Sequence, residues 1–318
     1  MRRILITGGA GFIGSHVTEH LHRVYPDAQI TVLDKMTYAA DIDNIRHILD
    51  RHHVRLVVGD ICDANLCRKV LDSADLLVHL AAESHVDNSF GDSLQFTRTN
   101  TLGTHTLLEA ARIAEVPKII HVSTDEVYGE VLDGEVDESA HLNPTNPYSA
   151  SKASAEMIVK SYIKSFGLPI STIRANNIFG IRQYPEKLIP RCCLSLILKQ
   201  KIPIHGTGEC SRCFLAAEDF AEAVALLIPL DTNGEVFNVG TDEEYRNLEV
   251  VRMICEAFGE DSADFIEHVH DRPFNDTRYG ISTKRIAGIG WVPKRMLKSE
   301  LGRIVEWYRE NIYRYEHL

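Results

Sequence analysis

The stretch Thr7-Gly8-Gly9-Ala10-Gly11-Phe12-Ile13-Gly14 follows a short apolar run at residues 3 to 7 and leads into an amphipathic segment reaching about Val24. That order reads as strand, glycine turn and helix. Glycines at 8, 11 and 14 let the chain turn tightly and let its backbone approach a pyrophosphate at the helix N-terminus. About twenty residues later, Asp34 closes a second apolar run, Ile30 to Leu33, at the position where a carboxylate takes the ribose hydroxyls of an adenosine. A carboxylate there repels a 2′-phosphate, so NAD is favoured over NADP even with Lys35 adjacent.

Working outward, apolar runs recur at Val54 to Val58, Leu76 to Leu80, Lys118 to Val122 and Pro169 to Ile173, with helical patterns between them. Short apolar strands alternating with longer helices predict a Rossmann-type doubly wound parallel α/β sheet. After Asn177 the alternation breaks down. Helical patterns near 187–199, 218–228, 247–258 and 297–314 mix with short strands such as Val236 to Val239. We expect a dinucleotide-binding domain over 1–177 and a smaller mixed α/β substrate lobe over 178–318, with the chain re-entering the first domain. Ligands of such sheets lie in the crevice at the strands' carboxyl ends. Asp60 and Ile61 then edge the adenine, Leu80, Ala81 and Ala82 lie under the cofactor, and Thr99 and Asn100 contact it or pack beneath it.

Composition bounds the function. The chain has 318 residues, an ordinary apolar fraction of 44% and a net charge of -11. That charge argues against nucleic acid or an anionic membrane as main partner. The N-terminal apolar stretch is too short for a signal peptide, and the longest apolar run, Ala223 to Leu230, is too short to span a bilayer. A cytoplasmic location is expected. Seven cysteines suit a reducing compartment. Cys210-Ser211-Arg212-Cys213 lacks the second ligand pair of a zinc site, so no metal is expected.

Two further segments carry chemistry. Tyr148-Ser149-Ala150-Ser151-Lys152 puts a phenol and an ammonium on one helix face. The ammonium is expected to lower the phenol pKa, making it a base for a hydroxyl whose carbon loses hydride. Bringing a pKa of ~10 near neutrality takes about 4 kcal/mol of differential stabilisation. Upstream, Ser123-Thr124-Asp125-Glu126-Val127-Tyr128-Gly129 follows a buried strand. An acid beside a base there serves elimination: one carboxylic acid protonates a leaving hydroxyl, one carboxylate removes a carbon-bound proton.

Together with Ala82-Glu83-Ser84-His85-Val86-Asp87, these motifs resemble the extended short-chain dehydrogenase/reductases, and within them the nucleotide-hexose 4,6-dehydratases. The resemblance runs nearly end to end, through Tyr184 to Pro190, Gly234 to Gly240 and Asp271 to Tyr279. The Thr-Asp-Glu triplet separates them from epimerases and decarboxylases. The resemblance implies a lyase with tightly bound NAD. Tyr148 with Lys152 takes the proton of the sugar 4-hydroxyl, which Thr124 also hydrogen-bonds, as the C4 hydride passes to NAD. Glu126 removes the C5 proton while Asp125 protonates the leaving C6 hydroxyl, and hydride returns to C6. For this, two neighbouring carboxyls must have their pKa values pushed apart. Arg212 and Arg272 would hold the diphosphate, Ser84 and Asn177 sugar or phosphate oxygens, and Lys187, Leu188, Pro203, His205 and Asn247 the base and ribose.

The chain departs from the thymidine-type pattern at Asn275 and His205, which carry His and Tyr there. Asn275 looks more like UDP-glucose dehydratases, so a uridine nucleotide is expected ahead of dTDP. Ile181 and Ala216 replace a proline and a tyrosine, reshaping the pocket enough to admit an N-acetylated hexose. Alternatives are a 5,6-dehydratase that returns hydride to C4 and yields an exocyclic enol ether, a 4-epimerase, and a redox-sensing NAD scaffold without turnover. Relatives commonly dimerise through helices near 93–114 and 148–166, where Leu94, Leu102, Leu107, Ala155 and Ile158 are possible contributors to a homodimer.

Overall fold

The structure, a computed structural model, describes residues 1–49, 53–271 and 274–315. In chain order the strands are β1 (Arg3–Thr7), β2 (Gln29–Asp34), β3 (Val54–Val58), β4 (Leu76–His79), β5 (Ile119–Thr124), β6 (Ile170–Ala175), β7 (Asn177–Phe179), β8 (Ile202–His205), β9 (Ser211–Ala216), β10 (Val236–Val239), β11 (Glu244–Arg246) and β12 (Ile266–Val269). Seven form one parallel sheet in the order β10-β6-β5-β4-β1-β2-β3. Every residue of β4 and β6 is buried. Helices cover both faces of the sheet, which is why these strands read as continuous apolar runs rather than alternating ones.

One face packs under the helix Phe12–Val24, with Val17 and Leu21 against Ile4, Ile6 and Val32. The other packs under the helices Ala64–Leu71, Thr104–Ile113 and Pro147–Phe166. Strand order reverses around β1, so the crevice opens at the carboxyl ends of β1 and β4. The remaining lobe holds the sheets β11-β9-β7 and β12-β8 with the helices Leu188–Ile197, Asn247–Phe258 and Leu297–Glu310 around a separate apolar cluster. The chain re-enters the large sheet at β10, and the helix Ala217–Leu227 returns to pack on Phe12–Val24.

Three details differ from the sequence reading. β5 and β6 run on to a Thr124↔Ala175 pair, because parallel pairing continues past the apolar stretch and fixes Thr124 in the ladder. The expected helix over 93–114 is broken: seven residues, Thr97–Gly103, form π turns between α-helical segments. There the Asn100 side chain is drawn to Glu83 and Ser151, and the Thr104 hydroxyl bonds the Asn100 carbonyl at 2.6 Å. Finally, Leu107 and Ala155 point into the chain's own core, whereas Leu94 is 80% and Leu102 52% exposed. The helical period carries the first two inward, so they are not available to a second subunit.

Candidate active site

The helix Phe12–Val24 starts at Gly11, whose backbone is extended (φ -74, ψ 178), and no side chain caps it. Its N-terminal N–H groups therefore suit an anion. A Cβ on Gly8 would sit 2.8 Å from the Ala81 backbone, and one on Gly14 would penetrate the Gly8 carbonyl. Gly8 also has φ +72, which L side chains rarely adopt. Gly14→Ala should therefore force backbone apart and cost about 1–3 kcal/mol. The variant is expected to melt lower and to release less dinucleotide on denaturation than the wild-type protein.

Of the residues expected against a cofactor, Gly8, Gly11, Phe12, Ile13, Gly14, Asp34, Lys35, Asp60, Ile61, Leu80, Ala81, Ala82 and Thr99 line one crevice, whereas Asn100 is buried and bonded to Glu83 and Ser151. Tyr148 and Lys152 stand at its far end, with Thr124, Glu126, Ser84, Asn177 and Lys187. Asp34 accepts from Ala10 N at 3.0 Å and Met36 N at 2.9 Å, which orients its carboxylate. Burial raises its pKa against those bonds. Lys35 is ion-paired to Asp60 at 2.8 Å, so its charge is partly neutralised beside Asp34.

The acid pair ends β5. Asp125 is 2% exposed. Its Oδ2 accepts from Asn176 Nδ2 at 2.8 Å and its Oδ1 from the Thr124 hydroxyl at 3.3 Å. Burial pushes its pKa up to about 7 against the Asn176 bond, with the Glu126 charge adding to the rise. Glu126 faces the crevice and accepts from Asn146 Nδ2 at 3.4 Å. Burial raises it too, tempered by the positive fields of Arg212 and Lys187. The arrangement favours Asp125 as the protonated partner.

Lys152 does not lower the Tyr148 pKa as expected. Its Nζ donates to the Val122 carbonyl at 2.7 Å, and burial brings its own pKa down to about 8. Its field falls on the buried His79 and His121. The phenol is instead pushed up by burial and by Glu126 and Asp125, with only the Thr124 hydrogen bond opposing. Additional positive charge beside the phenol is needed to ionise it.

The rest of the expected substrate set lies in the second lobe, outside this crevice. Arg212 donates to the carbonyls of Ser211 (2.7 Å) and Asp276 (2.8 Å), lies over the Tyr279 ring and reaches Asn275 Oδ1 at 3.5 Å. Asn275 Nδ2 donates to Asp271 at 3.3 Å. His205 bonds the His270 carbonyl at 3.3 Å, Pro203 pairs with Glu267 across β8 and β12, and Leu188 and Asn247 begin helices. Arg272 lies outside the described residues. Cys213 is buried in β9, its thiol pushed up to about 12 by burial.

Sequence reasoning missed several neighbours. Asn176 holds Asp125, and Asn146 reaches Glu126 while capping the Tyr148 helix, with Pro147 in its first turn. Asn before Pro at a helix start was a readable signal. Tyr38 donates to Glu186 at 2.6 Å across the crevice mouth, a pairing that no local pattern announces.

Residues 5–303 match the family model described as GDP-mannose 4,6 dehydratase. The chain is 44% identical over 316 residues to the Arabidopsis thaliana trifunctional UDP-glucose 4,6-dehydratase/UDP-4-keto-6-deoxy-D-glucose 3,5-epimerase/UDP-4-keto-L-rhamnose-reductase, covering 98% of this chain and 47% of that protein. It thus spans about half the length of that relative. It is 40% identical over 324 residues to the dTDP-D-glucose 4,6-dehydratase of Homo sapiens, covering 100% of this chain and 93% of that one. The dTDP-glucose 4,6-dehydratase from Streptomyces venezuelae, crystallised with NAD and dTDP, superposes with a TM-score of 0.96 at 38% identity over 99% of both chains.

Proposed function

The chain belongs to the GDP-mannose 4,6-dehydratase family, and from that premise we propose that it is an NAD-dependent dehydratase converting a nucleotide-linked hexose into its 4-keto-6-deoxy derivative. The observation that carries the reading is the acid pair itself: Asp125, held protonated to about pH 7 by burial, beside Glu126 at the end of the crevice that holds Tyr148 and Lys152. Oxidation alone needs no such pair.

The residues fit NAD. The uncapped helix start at Gly11 suits its pyrophosphate, and Asp34 suits its adenosine ribose and disfavours a 2′-phosphate. When bound, NAD supplies a hydride acceptor and a positive charge at the Tyr148 end. Tyr148 takes the proton from the sugar O4, with Thr124 orienting that hydroxyl. The ketone formed at C4 acidifies the C5 proton, which Glu126 removes as Asp125 protonates the departing C6 oxygen. Lys152 would add to the positive field around the dinucleotide ribose, and Lys187 tempers the Glu126 charge.

For the substrate we place a uridine nucleotide ahead of dTDP, supported by Asn275 and by the identity to the Arabidopsis UDP-glucose enzyme. Ser84, Asn177 and Lys187 would hold the sugar and diphosphate, with Arg212 and Arg272 at the diphosphate and Leu188, Pro203, His205, Asn247 and Asn275 around the nucleoside. Residues 1–177 with the returning β10 would be the dinucleotide half and the rest the nucleotide-sugar lobe. A homodimer through the exposed Leu94 and Leu102 face is part of the proposal. No helix among the described residues is long and apolar enough to cross a membrane, and a cytoplasmic site is part of the proposal.

Product analysis tests the reading. UDP- and dTDP-glucose and their N-acetylglucosamine counterparts are incubated with the purified protein, and product mass and proton spectrum are recorded. Loss of water with a new C6 methyl is expected. A vinylic CH2 would mean 5,6-dehydration, and unchanged mass with an inverted C4 would mean epimerisation.

A further inference from the structure

On the function proposed above, Asp125 must carry its proton on the oxygen that meets the departing C6 hydroxyl. A carboxylic acid has two oxygens, and burial alone does not choose between them. The neighbour that can choose is Asn176, next to the Asn177 expected from the sequence. It follows β6, is 4% exposed and stands in the crevice wall.

Three contacts fix this residue. Its backbone N–H donates to the Val239 carbonyl at 3.1 Å, tying it to β10. Its Oδ1 accepts from Thr241 N at 3.1 Å, and its Nδ2 donates to Asp125 Oδ2 at 2.8 Å. A backbone N–H can only donate, so the carbonyl end of the amide must face Thr241 and the NH2 end must face Asp125. Space holds the amide there as well, because a Cβ on Gly240 would penetrate Asn176 Oδ1.

We propose that Asn176 is a positioning residue for the acid: its fixed NH2 group occupies Oδ2 of Asp125 and leaves the transferable proton on Oδ1. The N–H needs a lone pair, and in a protonated carboxyl the oxygen without the proton is the better acceptor. Oδ1 lies 3.3 Å from the Thr124 hydroxyl. Thr124 lines the crevice, which puts the proton next to a side chain assigned to the sugar. Once the proton is given, the same Asn176 bond favours the carboxylate that remains. The other charged or titratable groups acting on Asp125 are Glu126 beside it, Tyr148 on the helix Pro147–Phe166, and Arg212 and Cys213 on β9. Substitution at 176 leaves all four in place.

Two substitutions of similar volume test this through the pH dependence of dehydration by the NAD-loaded protein. Asn176→Leu removes the donor. Its alkaline limb should move up by about one pH unit from the wild-type position at about 7. Below the limb kcat should fall roughly tenfold with KM little changed, because the proton is no longer confined to Oδ1. Asn176→Asp supplies a second carboxyl. At acid pH that carboxyl is protonated and donates to Oδ2 as the amide does, so activity persists. Loss of one proton leaves the other shared between the two carboxyls at Oδ2, on the wrong side of Asp125. An O–H donor stabilises that state more than an N–H, so this limb should move down by about one unit. The ¹³C signal of the Asp125 carboxyl, identified by its loss in Asp125→Asn, should show the same opposite shifts without substrate. Limbs unmoved in the folded variants would reduce Asn176 to a support of the fold, and an upward limb in Asn176→Asp would put the proton on Oδ2; either overturns the proposal. If the wild-type protein dehydrates no nucleotide sugar, the function fails, while the carboxyl shifts still show whether Asn176 governs Asp125.

Discussion

Glu126→Gln stops the proposed reaction after oxidation: overall turnover falls by about 10²- to 10⁴-fold while NADH absorbance builds up in the presence of substrate. Glutamine keeps the volume and can still accept from Asn146, which holds Glu126 Oε2 at 3.4 Å, so the crevice shape survives. What is lost is a base for the C5 proton. Tyr148, Lys152 and the dinucleotide cradle are untouched, so the C4 hydroxyl is still oxidised and the 4-keto hexose waits with reduced cofactor. Stopped-flow absorbance reads the build-up, and product mass reads the missing dehydration. Turnover at the wild-type rate would remove Glu126 from its role.

Asp125→Asn has a comparable effect on activity and a second signature in stability. The amide retains hydrogen bonding to its neighbours but cannot protonate a leaving hydroxyl, so dehydration is expected to slow by about 10²- to 10⁴-fold. In the wild-type protein the same carboxyl makes activity fall as pH rises through about 7, where the acid loses its proton. The stability effect follows from the same shift. In the folded chain the carboxyl keeps its proton up to about pH 7, whereas the unfolded carboxyl releases it near 3.8. Wild-type stability from this group is therefore present at acid pH and is lost as pH rises to about 7, by about 4 kcal/mol in all. Asparagine has no proton to lose. Between pH 5 and pH 8 the variant should gain about 3 kcal/mol on wild type in denaturant unfolding. A difference independent of pH would contradict the buried-acid assignment.

The parts legible in the sequence are those encoded by close spacing. The three glycines need only a strand before them and a helix after, and Asp34 needs only the end of the next strand. Tyr148 and Lys152 lie one helical turn apart, and Thr124, Asp125 and Glu126 are consecutive. What escaped depends on chain segments that meet only after folding. Asn176 reaches Asp125 from beyond β6, and Tyr38 meets Glu186 across the crevice mouth. The Tyr148 shift runs opposite to the expectation from helical spacing for the same reason. Helical spacing brings Lys152 onto the right face, but the Val122 carbonyl on β5 decides where its ammonium points. The π turns at Thr97–Gly103 likewise follow from Asn100 being drawn to a loop after β4, which a helical periodicity cannot express.

The central claim is that one site oxidises C4, eliminates water and delivers the same hydrogen to C6. Nucleotide glucose carrying deuterium at C4 tests it in a single incubation, read by proton and deuterium spectra of the product. The account predicts a 4-keto-6-deoxy sugar with the deuterium in its C6 methyl. Deuterium retained at C4, whether in an enol ether, an epimer or recovered substrate, would contradict it.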